Sequence, residues 1–163
     1  MAQSIAEAEI LVNMPKNEVW QRLRDLTIAH YYVPGLRDCR MTTAQKEGVG
    51  ASRTVYMAMG MAMDETVVEW TEGEGFVIRL HNGDKPPQMF AQACFHYRIE
   101  DAPGGQTRFR PGMTYTPRGG ALGRLIDRLI MNRMVGKSMK GVAEGLKKYY
   151  ETGKPSNPAF AKA

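Results

Sequence analysis

Metal binding or nucleophilic catalysis would draw on three histidines, His30, His81 and His96, and two cysteines, Cys39 and Cys94. Their spacing supports neither. The cysteines lack metal-type spacing and read as two buried thiols of a reducing cytoplasm. The histidines are scattered, and strand alternation turns His81 and His96 toward solvent, so no three-histidine metal site is expected. The GxSxG, HExxH and reactive-cysteine signatures are absent. PRGGALGR, residues 117–124, lacks the spacing of a phosphate-binding loop. No metal and no cofactor is implied. Phenols, carboxylates and guanidinium groups remain, and their use depends on the elements that hold them.

SIAEAEILV, residues 4–12, alternates Ala6, Ala8, Ile10 and Val12 with Ile5, Glu7, Glu9 and Leu11, the period of a strand. Pro15 suits the first turn of a helix, where a missing N–H costs nothing. Val19, Trp20, Leu23 and Leu26 form one apolar stripe, which places Trp20 in the core rather than against a ligand. Pro34 and Gly35 end this helical region. From residue 36 to 117 turn signals recur at GVG, Gly60, EGEG, NGDKPP and PGG. The runs between them, such as SRTVYMAM, ETVVEW, FVIRLH, MFAQACFHYRI and TRFRPGMTYT, carry the residues of half-buried strands. Links this short favour antiparallel hairpins. About six strands therefore follow the first. Residues 121–152 are helix-like and would reach about 45 Å at about 1.5 Å per residue. A bend is expected in so long a helix, with Gly136, Gly141 and Gly145 as its sites. Residues 153–163 are polar, proline-bearing and expected to be loose. The fold expected is α+β: a curved antiparallel sheet of about seven strands wrapped around a long C-terminal helix, with two short N-terminal helices, as one domain over residues 1–152.

Alternation also sorts the strand residues by face. Ala91, Ala93, Phe95, Tyr97 and Ile99 oppose Gln92, His96 and Arg98, and are the better inner set. By the same logic Phe76, Ile78 and Leu80 point inward, as do Phe109, Met113 and Tyr115. Around Gly60 the pattern leaves the face open. Arg53, Val55, Met57 and Met59 share one parity, and Glu65, Val67 and Glu69 share another. The 12 methionines, many of them in or near the sheet, fit either ordinary core packing or an adaptable apolar pocket.

MPKNEVWQRLRDL, VPGL, GVGASRTV, DETVVEW and LKKYYE, in this order, resemble the signposts of the START-like (SRPBCC) superfamily, the polyketide cyclase/dehydrase and lipid-transport group. That group shares the helix-grip fold with the birch-pollen allergen. The resemblance covers residues 4–152. It implies a cavity between sheet and C-terminal helix that holds a small hydrophobic ligand, with the N-terminal helix plugging one end. Candidate ligand-binding residues are then Phe76, Ile78, Phe95, Tyr97, Met113 and Tyr115. Arg53 and Glu65 lie within GVGASRTV and DETVVEW and can pair across strands, as a surface ion pair or as a charge pair that orients a polar ligand group. Two functions are open. One is a non-catalytic binder of a lipid, quinone or aromatic metabolite. The other is a polyketide cyclase or dehydratase, for which Tyr56, Tyr97, Tyr115, Glu65 and Arg53 would supply proton donors and acceptors.

Length and composition bound the remaining classes. A chain of 163 residues suffices for one domain. With 43 % hydrophobic and 24 % charged residues it falls among folded globular proteins rather than disordered ones. No apolar run approaches the ~20 residues of a membrane span, and MAQSIAEAEI lacks the basic start and apolar core of a secretory signal. The last helix carries two apolar stripes. Leu122, Leu125, Ile126, Leu129 and Ile130 gather on one side. Val135, Met139, Val142, Leu146, Tyr149 and Tyr150 gather near the opposite side. A straight helix cannot bury both against one sheet. Either it breaks between Met131 and Gly136, or the segment Ala121–Met131 faces the cavity mouth, a homodimer partner or a membrane surface. The net charge of +5 gathers late in the chain without interleaved aromatic residues, which reads as a solvated helix face. No specific nucleic-acid partner is expected. Any DNA or RNA binding should vanish at physiological salt in a gel-shift titration, as phosphate-only binding does; sequence-specific binding that persists there would contradict this reading.

Overall fold

The computed structural model describes residues 3–158, apart from the side chain of Met59. One antiparallel sheet is built from β1 (Ser4–Glu7), β2 (Ile10–Val12), β3 (Leu36–Met41), β4 (Ser52–Met57), β5 (Ala62–Thr71), β6 (Gly75–His81), β7 (Phe90–Ala102) and β8 (Gln106–Pro117). The strand order is β1-β8-β7-β6-β5-β4-β3, with β2 also paired to β8. The six strands after residue 36 match the pattern of turn signals. The first strand is broken after Glu7 into β1 and β2. Two short helical pieces precede β3: α1 (Lys16–Leu23) and a 3-10 turn, Ala29–Tyr31. The chain closes with α2 (Gly120–Ile126), a π-helical turn (Asp127–Met131) and α3 (Asn132–Thr152). This is the helix-grip arrangement.

The stripe on α1 is buried as its spacing requires, with Val19, Trp20 and Leu23 all inward. Trp20 packs edge-on against Trp70 at 5.1 Å and near Phe76 at 6.4 Å. Its indole N–H donates to Glu72 at 2.8 Å, so its polar edge is satisfied. Trp70 reaches this cluster because the β5–β6 register shifts between Val67 and Glu69. The extra residue, Val68, lets Val67 and Trp70, which have opposite parity, both turn inward.

α3 lies along the β1, β2 and β8 side of the sheet. Asn132 Nδ2 donates to the Ile5 carbonyl at 3.2 Å and Lys147 Nζ to the Leu11 carbonyl at 2.7 Å. Its buried face is Met139, Val142, Ala143, Leu146 and Tyr150. α3 keeps helical backbone through Gly136, Gly141 and Gly145, the sites expected for a bend. Gly145 serves close approach instead: a Cβ there would stand 2.1 Å from the Tyr32 carbonyl oxygen. Of the two alternatives for the last helix, a break between Met131 and Gly136 does not occur, since helical backbone continues through these residues. The helical register changes earlier, in the π turn, whose wider winding rotates the faces that follow it.

Residues 153–157, expected to be loose, are tied down. Gly153 ends α3 in the left-handed conformation. Asn157 is buried, and the two N–H groups of its Nδ2 are shared among the carbonyls of His30 at 2.8 Å, Val33 at 3.0 Å and Leu36 at 2.6 Å. Ser156 Oγ donates to the Gly145 carbonyl at 2.7 Å. Residues 159–163 of the expected tail lie outside the described residues.

Two glycines on one helix give opposite predictions. Helix propensity alone favours alanine over glycine by about 1 kcal/mol. Gly136→Ala, with nothing within 4 Å of the new Cβ, should stabilise by up to that amount. Gly145→Ala should destabilise by roughly 1–3 kcal/mol, because the Tyr32 backbone must move. Urea unfolding of both variants checks this, and equal effects would refute the close-approach argument.

Candidate functional site

The strands around Gly60, undecided by pattern, turn Arg53 and Glu65 into the interior. The two residues face each other directly in the β4–β5 register and are only 4 % and 6 % exposed. Arg53 Nη2 lies 2.6 Å from Glu65 Oε2, and Arg53 Nε donates to the same oxygen at 2.7 Å. Arg53 Nη1 donates to the Leu26 carbonyl. The pair is therefore not on the surface. Burial works against the guanidinium charge, but the Glu65 carboxylate, with Cys39, Tyr97 and Tyr32 acting in the same direction, holds the Arg53 pKa above its ordinary value.

Neutral hydrogen-bonding groups surround this pair. Tyr97, Tyr32 and Cys39 are buried, and each feels the Arg53 charge. Tyr150 of α3 closes over them, edge-on to Tyr32 at 5.9 Å. Burial raises the phenol pKa values of Tyr32, Tyr97 and Tyr150. It also pushes the Cys39 thiol up to about 11 despite Arg53, so this cysteine stays protonated and unreactive at neutral pH. The Tyr150 hydroxyl is buried without a hydrogen-bond partner. An unsatisfied buried hydroxyl costs about 1–3 kcal/mol, so a polar group brought beside it would be stabilised.

The apolar candidates share the inner face. Phe76, Ile78, Tyr97, Met113 and Tyr115 are buried. Tyr97 packs against Phe76 at 5.0 Å, Phe109 at 6.2 Å and Phe95 at 6.4 Å. Phe95 is only half-buried, as are Met57 and Met63 of the same face and Met131 and Val135 of the last helix. α3 itself packs on the β1, β2 and β8 side, away from β4 and β5. Two surface clefts, of about 530 Å³ beside α2 and about 480 Å³ near Trp70, do not touch Arg53, Glu65 or Tyr97.

Other candidates are placed apart from this cluster. Tyr56 is on the outer face under the Arg40 guanidinium, 5.1 Å from its ring centre. Tyr115 is buried, but its hydroxyl donates to Asp127 Oδ1 at 2.6 Å. Burial and that carboxylate push its pKa up to about 12. Ser4 Oγ donates to the other Asp127 oxygen at 2.5 Å. His81 and His96 bond Thr66 and Thr114 at 2.8 and 2.5 Å, away from the Arg53 side. Sequence reasoning did not single out Tyr32, Cys39, Tyr150 or Asp127 as site residues. Tyr150 was readable as part of the α3 stripe, whereas Tyr32 lies in a segment without period.

The model of a family described as polyketide cyclase/dehydrase and lipid transport matches residues 4–151. No curated protein matches the chain. Among solved structures, a START superfamily protein from Mycobacterium smegmatis is similar with a TM-score of 0.72 at 10 % identity, over 92 % of this chain and 99 % of that one. A protein from Thermus thermophilus is similar with a TM-score of 0.70 at 18 % identity, over 92 % and 99 %. DynU16, a protein of the dynemicin biosynthetic locus, is similar with a TM-score of 0.65 at 17 % identity, over 95 % of this chain and 50 % of that one. At these identities the likeness concerns the fold.

The buried pair predicts a particular stability pattern. Arg53→Met strands the Glu65 carboxylate and should cost about 3–5 kcal/mol, while the double variant Arg53→Met/Glu65→Leu should recover most of that loss. Urea unfolding of the single and double variants measures this, and a harmless Arg53→Met would contradict the burial of the pair.

Proposed function

The chain belongs to the polyketide cyclase/dehydrase and lipid transport family, and from that premise we propose that it binds a small, largely apolar molecule between the sheet and α3. A lipid, quinone or aromatic metabolite with one polar end fits this description. Phe76, Ile78, Phe95, Met113 and Tyr115 would contact the apolar body. Arg53, Glu65 and Tyr97, with Tyr32 and Tyr150, would receive the polar end. The observation that supports this most is the buried polar cluster itself. A chain selected for packing alone gains little from a buried ion pair, and the Tyr150 hydroxyl is left unpartnered. Pockets for small molecules are mostly apolar with a few polar groups that fix orientation. The ligand would enter past the half-buried Phe95, Met57 and Met63, and methionines adapt to varied shapes. Two free cysteines, one of them buried, suit a reducing compartment such as the cytoplasm.

A catalytic reading rests on Tyr97. Its phenol stays neutral at physiological pH, beside a guanidinium and a carboxylate. A polyketide carbonyl held there would meet a proton donor and a cation, the elements of a cyclase or dehydratase that works by positioning. Tyr97→Phe separates the two readings, since it removes the proton donor and leaves the apolar wall.

Anilinonaphthalene sulfonate, an apolar probe with one anionic group, tests binding. It should quench Trp20 and Trp70 emission with saturation at one equivalent. Arg53→Met/Glu65→Leu should weaken it roughly tenfold or more, a loss of about 1.4 kcal/mol. Tyr56→Phe, on the outer face, should leave it unchanged. Equal affinity in the wild type and the double variant would remove the polar cluster from the site.

A further inference from the structure

Leu122, Leu125, Ile126, Leu129, Ile130 and Met134 are between 45 % and 68 % exposed. A helix that merely closed a core would bury these side chains, and scattered exposure on an ordinary surface does not concentrate six large apolar residues within about three to four turns of one helix. The π turn explains their position. It keeps Asp127 and Met131 on the sheet side, in line with Met139 and Val142 of α3. The leucine and isoleucine stripe is thereby left on the face turned away from Asp127. Arg124 and Arg128 line one surface cleft together with Leu125, Arg133, Lys137 and Lys140 follow along the helix, and all five are exposed. The only acidic residue of the segment, Asp127, points inward to Ser4 and Tyr115. Met61 and Met89, 55 % and 62 % exposed, lie on the β4–β5 and β6–β7 links. Strand direction puts those links at the same end of the sheet as α2.

We propose that this face docks the protein on an anionic lipid surface, with the apolar stripe in the headgroup–acyl boundary and the cations against lipid phosphates and carboxylates. An amphipathic helix with apolar residues on one face and arginine or lysine at its margins binds a membrane in this way, lying within about 5–10 Å of the interface. Charge decides the occupant. A second copy placed face to face would bring together two faces that carry exposed Arg124, Arg128 and Arg133 and no exposed acidic residue between Gly120 and Lys140, so the pairing offers no charge complementarity. An anionic bilayer complements the same cations. Among the described residues no helix is long and apolar enough to cross a membrane, so the contact is one of lying on the surface. The proposal does not rest on interior binding, and its test needs no interior ligand.

Vesicle flotation with the full chain tests it. The protein should float with vesicles of phosphatidylcholine and phosphatidylserine and stay behind with phosphatidylcholine alone, and added salt should release it. Leu125→Glu/Leu129→Glu, at exposed positions that leave the core intact, should bind roughly tenfold more weakly or worse with an unchanged melting temperature. Arg124→Glu/Arg128→Glu should lose the preference for anionic vesicles. Equal flotation of the leucine variant, or equal binding to neutral vesicles, would overturn the proposal. So would a wild-type dimer that binds no vesicles and falls to a monomer in the leucine variant, which would assign the face to a second copy.

Discussion

The buried pairing of Arg53 with Glu65 is the constraint on which the interior depends. Removing two charges from water costs several kcal/mol per ion, and only close geometry with further hydrogen bonds offsets it. The structure supplies that geometry from three separate segments: β4, β5 and the Leu26 carbonyl beyond α1. The segment from α1 to β3 must therefore lie against the sheet in one position. Gly145 and Asn157 hold it there from the other side, the first by admitting the Tyr32 carbonyl and the second by bonding three carbonyls between His30 and Leu36. Tyr32, which feels the Arg53 charge, and Tyr150, packed edge-on against it, are thereby fixed in place.

The last helix solves a different problem. It must lie along β1, β2 and β8 while carrying two apolar stripes that no straight α-helix could bury together. The π turn keeps Asp127 and Met131 in line with the buried face of α3 and leaves the leucine and isoleucine stripe exposed. Asp127 sits in that turn and accepts from Ser4 and Tyr115. A carboxylate thus holds the turn against the sheet at its β1–β8 edge, and the polar cluster at Arg53 stays separate from it.

Much of the frame was legible in the sequence. Strand period and turn residues placed the strands, and parity placed Phe76, Ile78, Tyr97 and Met113 inward, because a one-residue error would expose a whole face. The face of Arg53 and Glu65 was not legible. It depends on the number of residues in the Ala58–Gly60 turn, and Trp70 depends on the bulge at Val68. Both are local insertions that hydrophobic period does not record. Tyr32 and Asn157 were hidden for another reason: their segments follow no period, and their roles come from carbonyl contacts over more than 100 residues of chain. The two stripes of the last helix were readable, but a π turn leaves no mark in composition.

The central claim is that apolar ligands bind between the sheet and α3 beside Arg53. Methionine-methyl NMR during a titration with anilinonaphthalene sulfonate tests it most directly, because methionines line both the interior and the surface. The account predicts that the Met57, Met63 and Met113 methyl signals move together and saturate at one equivalent, while Met61, Met89 and Met134 stay in place. Movement of the surface set alone, with the interior set unchanged, would contradict it.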